Sequence, residues 1–116
     1  MDQTPKQIKR ALRELAGQAY EIELSRALAE LQGQFGRWGQ GEITPLDLTE
    51  AIHRFHQGPA RELFDRYTTG PVNLAVAHAI HTGVLDRTKV RPDTLDYLAG
   101  ALSFYETQES VQCLLR

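Results

Sequence analysis

The sequence predicts an all-α fold, a compact bundle of five to six helices led by a long N-terminal helix. Three observations carry that expectation. Five prolines stand where helices can start, apolar residues recur at three- and four-residue intervals, and no alternating apolar and polar run is long enough for a strand. With 116 residues the chain closes one core and is too short for two, so a single all-helical domain over 1–116 is expected.

Proline lacks the amide hydrogen that a first helical turn leaves unpaired, and its fixed φ suits that position. Thr4-Pro5-Lys6-Gln7 and Thr44-Pro45-Leu46-Asp47 each place a hydroxyl cap before the proline and a polar side chain two residues after it. Gly58-Pro59 and Gly70-Pro71 repeat the pattern with a weaker cap, and Arg91-Pro92-Asp93-Thr94 offers a fifth start.

Helix one is expected from Pro5 to about Leu31 or beyond, weakened only by Gly17. Ile8, Leu12, Leu15, Ala19 and Ile22 form one stripe along it, and Leu24, Leu28, Leu31, Phe35 and Trp38 form a second. The second stripe begins two residues after the first ends, which turns it to another side of the helix. The helix must break there or be covered from two sides, and a partner chain along one half is the reason to expect a homodimer. The glycine-rich 32–43 reads as a loop. Helix two, 45–56, carries Leu48, Ala51, Ile52 and Phe55 on one face; helix three, 59–68, carries Ala60, Leu63, Phe64 and Tyr67. Helix four, from Pro71 to about His81, is apolar nearly all round and is the candidate central helix. Helix five begins near Asp93 with Leu95, Leu98, Leu102 and Tyr105, and a stretch with Val111, Leu114 and Leu115 extends it or forms a short tail helix.

Composition bounds the function. Apolar residues at 41% and charged residues at 24% are those of an ordinary globular chain. A formal charge of −2 gives no global attraction to nucleic acid or anionic lipid, so such binding needs a local patch. Cys113 is the single cysteine, and there is neither an apolar leader at the start nor an apolar run long enough to span a bilayer. A cytoplasmic protein without membrane partners is expected.

All four histidines lie in two His-x-x-His pairs, His53 with His56 and His78 with His81. Imidazoles three apart share a helix face and can share a transition metal, and Glu50-x-x-His53 has the form that bundles use for di-iron chemistry. A di-iron site needs two such motifs and further inward glutamates, whereas helical projection turns both pairs away from the apolar faces. These five residues are the metal candidates; no other cofactor is indicated. "GQGEITPLDL" is reminiscent of the second half of a calcium loop, but Gly36, Trp38 and Gln40 stand where carboxylates are needed. Nor do the glycines precede the lysine and hydroxyl of a phosphate loop.

Arg37 and Trp38, in the expected loop, are residue types enriched at interface hot spots. Lys6, Lys9, Arg10 and Arg13 form a basic strip on helix one, offset only by Glu14. Residues 77–90 faintly suggest a helix-turn-helix with too short a second helix. Ser25, Ser103 and Cys113 have no base placed by spacing, so an enzyme is not expected. The leading expectation is a non-catalytic interaction or regulatory protein that pairs with itself and with another protein through Arg37 and Trp38 or the spare face of helix one. A metal-binding bundle is the alternative, and a small nucleic-acid-associated regulator the third.

Overall fold

The computed structural model describes the backbone of residues 5–114 and the side chains of residues 5–108. The chain is all-α, and among the described residues there is no strand. The long first helix is α1, Lys6–Gly39, followed by α2, Pro45–Phe55, and α3, Arg61–Phe64; then come α4, Val72–His81, α5, Pro92–Tyr97, and α6, Ala99–Leu114. The molecule measures 55 × 37 × 27 Å because α1, at 34 residues, runs about 51 Å and serves as a spine for everything else.

Helix α1 does not break at the change of stripe. Its first half buries Leu12, Ala16 and Ala19 against Val76, Ala77, Ala79 and Ile80 of α4 and Leu98 and Leu102 of the C-terminal helices. The alanines on both helices let the backbones approach closely. Leu85 and Val90, from the connection after α4, close this core. The second half of α1 packs instead on α2 and α3, where Leu48 and Leu63 are buried. Each half of α1 therefore packs on its own chain from a different side, while Leu28, Phe35 and Trp38 of the second stripe stay partly exposed.

Three expectations about element boundaries are corrected. Residues 32–39 are helical, so Arg37 and Trp38 belong to the last turn of α1 and only 40–44 is a connection. A glycine in a helix costs roughly 1 kcal/mol, and α1 nevertheless carries Gly33, Gly36 and Gly39 through its last turns, with Phe35 and Trp38 half-exposed between them. The helix ends where Gly41, at φ 76°, takes the left-handed conformation. The Gly41 amide then donates to the Trp38 carbonyl and the Glu42 amide to that of Arg37, the hydrogen bonds of a Schellman stop.

The second correction concerns Pro59, which lies inside a continuous helical run from Pro45 to Thr69 instead of opening a new helix. The run widens to π-helical turns at His56–Ala60 and Asp65–Thr69. An α-turn at Pro59 would drive its ring into the Phe55 carbonyl and lacks the amide to bond it; a wider turn relieves both problems. Third, helix five is two helices. Leu98, 1% exposed and at ψ near 0°, interrupts it and plugs the core at the bend. Pro45 and Pro92 do occupy first helical positions, while Pro5 and Pro71 stand one residue earlier. The Thr44 box forms in full, with Thr44 Oγ1 accepting from the Asp47 amide at 3.1 Å and Asp47 Oδ2 from the Thr44 amide at 3.0 Å. The Thr4 cap and Leu115 lie outside the described residues.

Candidate functional site

The hairpin of α1 and α2 leaves Leu28, Phe35, Trp38, Leu46 and Ile52 exposed. The short 40–44 connection makes α1 antiparallel to the helical run that starts at Pro45, and Leu24, Leu31 and Leu48 are the better-buried leucines of the seam between them. Leu28, Phe35 and Ile52 each follow one of these seam residues by four positions. Each is rotated by about 40° in the same sense, and in an antiparallel pair equal rotations lead to the same side. One face of the hairpin therefore shows Leu28 at 46%, Phe35 at 44% and Ile52 at 39% exposure. Trp38, at 46%, is half-exposed at the hairpin's end. Arg37 beside it is committed to the turn: its Nε lies 3.3 Å from Glu42 Oε2, and its carbonyl accepts the Glu42 amide. The α4 to α6 layer packs on the other half of the spine and leaves this face open.

Where the two halves of α1 meet, a polar cluster fills the junction. Tyr67 hydroxyl donates to Glu23 Oε2 at 2.5 Å, and Arg66 Nη1 lies 3.4 Å from both Glu23 oxygens. Arg66 thus turns to α1 rather than to its helix neighbour Glu62. Tyr20 stacks on Tyr67 with centroids 5.4 Å apart. The Tyr67 phenol is pushed well above its ordinary range, first by burial and then by the bond to Glu23, and stays protonated. The cluster joins a hydrogen-bond donor to a paired carboxylate and holds the two layers in register.

The histidine pairs separate. His53 and His56 are exposed on α2 and the turn after it. His78 departs from the outward position that projection gives it: Tyr105 of α6 covers it edge-on at 5.4 Å and stacks near His81 at 6.2 Å. The His78 Nδ1 atom is buried without a hydrogen-bond partner. Burial, followed by the charge of Arg66, holds His78 below its ordinary 6.5, and Glu23 opposes this. The two pairs are thus on elements that do not pack together, with Glu50 bound to Arg54 at 3.2 Å. Among the described residues no three His, Cys, Asp or Glu side chains are grouped so as to hold a metal ion.

The basic strip stays on the surface of α1, where Lys6, Arg10 and Arg13 are exposed and Lys9 is half-buried. Arg91, from the segment before α5, joins them around a hollow of about 800 Å³. A second hollow of about 440 Å³ adjoins it, sharing Ala11, Glu14 and Arg91.

No family model, curated protein or solved structure matches this chain.

Sequence reasoning missed Glu23, Arg66 and Tyr67 as a unit, and it missed Tyr105 as the cover of His78. One signal was present. Glu23 falls in the gap between the two apolar stripes of α1, where Arg66 and Tyr67 reach it. The addition of Arg91 to the strip had no such signal, because 78 residues separate it from Arg13.

Proposed function

We propose that this chain is a non-catalytic interaction protein that pairs with a second copy of itself through the open face of the α1–α2 hairpin. The observation that supports this is the alignment of Leu28, Phe35 and Ile52 on one face, each two-fifths to one-half exposed. Single exposed apolar residues are ordinary, but a row of them along two adjoining helices is the usual mark of a protein contact. Two helices cannot enclose an apolar seam, whereas two hairpins face to face make a four-helix layer that can. A two-fold pairing also needs a surface complementary to itself, and the hairpin flanks mix signs, with Arg26, Arg37 and Arg54 interspersed among Glu21, Glu30 and Glu50. Sedimentation equilibrium across a concentration series tests the reading. Dimers that dissociate when Phe35 is replaced by Gln support it, and a monomer up to the millimolar range removes it.

A further inference from the structure

The two adjoining hollows at the N-terminal half of α1 have a composition that the hairpin face lacks. Around the first stand Lys6, Lys9, Arg10, Arg13 and Arg91. The second runs between α1 and the segment after α4, floored by Leu15, Ile22, Val84 and Val90 and bordered by Lys89 and Arg91. Six cations thus surround the pair of hollows, in a chain whose formal charge is −2. The carboxylates near them are Glu14 and Asp86, and Asp86 already accepts from the Thr88 amide at 3.0 Å and its hydroxyl at 2.7 Å. Arg91 is partly engaged by Asp93 at 2.9 Å.

We infer that these hollows form one docking groove for an acidic amphipathic segment of a partner protein, its carboxylates on the Lys6 to Arg13 rim and Arg91, its apolar residues over Leu15, Ile22 and Val84. Charge complementarity selects the acidic partner. The apolar floor selects a peptide over a bare phosphate chain, because it offers burial that a nucleic-acid backbone cannot use. No Phe, Tyr or Trp lines either hollow, so unpaired bases have nothing to stack on. From Lys6 to Ile22 the wall is about 24 Å long, the length of a helix of about four turns lying in a groove. This surface lies on the opposite half of α1 from the proposed dimer face, and the inference does not depend on that pairing.

The test is fluorescence anisotropy with a labelled peptide of about four helical turns, leucines at three- and four-residue intervals and glutamates and alanines between them. The unmodified protein is expected to bind it, more weakly as salt is raised. R10E/R13E and, separately, Ile22→Ser should each weaken binding about tenfold or more, with Phe35→Gln binding as the unmodified chain does. Circular dichroism confirms that each variant keeps its helices. No binding at low salt overturns the inference. So does binding that Ile22→Ser leaves unchanged, or preferential capture of a deoxythymidine oligonucleotide or a phosphatidylglycerol vesicle over the peptide, since the groove would then be a phosphate surface.

Discussion

Replacing Phe35 by Gln isolates the proposed pairing face, and its effect can be worked from the exposure of one ring. A phenylalanine side chain carries about 200 Å², and at 44% exposure about 90 Å² of Phe35 remains open in the single chain. Covering that area stabilises by about 2 kcal/mol at about 25 cal/mol per Å². A two-fold interface uses the residue twice, so the pair gains at most about 4 kcal/mol from it, which is about a thousandfold in the dissociation constant. Gln keeps a helix-forming stem but offers no apolar tip to the partner. The measurement is sedimentation equilibrium of both proteins over a dilution series, with circular dichroism to show that α1 persists. Leu28→Gln, on the same face two helical turns away, is expected to act in the same direction by a smaller factor. Superimposable dilution curves for the unmodified protein and Phe35→Gln would refute the reasoning, because no face that buries this ring could be indifferent to it.

Four further outcomes follow from the geometry. Tyr67→Phe removes a hydrogen bond to a charged acceptor at 2.5 Å and should lower stability by about 1.5–3 kcal/mol in urea unfolding, with Arg66 left as Glu23's partner. Gly33→Ala and Gly36→Ala each place a methyl where nothing lies within 4 Å, inside a helix, and together should raise stability by about 1–2 kcal/mol; a loop at 32–39 would show no such gain. Gly41→Ala should do the opposite and destabilise by about 1 kcal/mol, because φ there is 76° and the Schellman stop depends on it. Below pH 6.5 the unfolded chain protonates His78 before the folded one does, so stability falls as pH drops from that value until the folded imidazole also takes a proton. Urea unfolding across that range should show this slope, and His78→Gln should flatten it; an unchanged slope in the variant would place the titration elsewhere.

Much of the architecture was legible because it depends on local chemistry. Thr44-Pro45-x-Asp47 forms the box it spells, since cap and reach-back side chain are three residues apart and need no distant partner. Val72–His81 is central because a helix apolar nearly all round must bury most of its surface, as Ala75, Val76, Ala77, Ala79 and Ile80 do. Two of the three misread boundaries share one cause, the reading of Gly and Pro by intrinsic preference alone. Gly36 and Gly39 prolong a helix that is already nucleated, so each costs only its own weak preference, and Pro59 stays helical because a wider turn accepts its ring. Neither the cooperativity of a long helix nor a widened turn shows in the intrinsic preference of a single residue. The site was less legible for a related reason. His78 projects away from Val76 and Ile80 on its own helix, and Tyr105 arrives from α6, distant in sequence, to cover it.

The change of stripe in α1 carries the deepest structural consequence. A single uninterrupted stripe would have placed α4 and the 45–69 helices in competition for one face of one rod. Advancing the stripe by two residues between Ile22 and Leu24 gives each layer its own side, and Glu23, in the gap, then meets Arg66 and Tyr67 where the layers approach. A partly buried carboxylate held by two partners is costly to leave half-satisfied, so the bonds to Glu23 fix the rotation of the hairpin about the spine. With that rotation fixed, α4 to α6 cover the first half of α1 and the Leu28, Phe35 and Ile52 face is left without a cover from its own chain. The same two-residue step that lets a 34-residue helix serve two layers therefore leaves open the face proposed to pair.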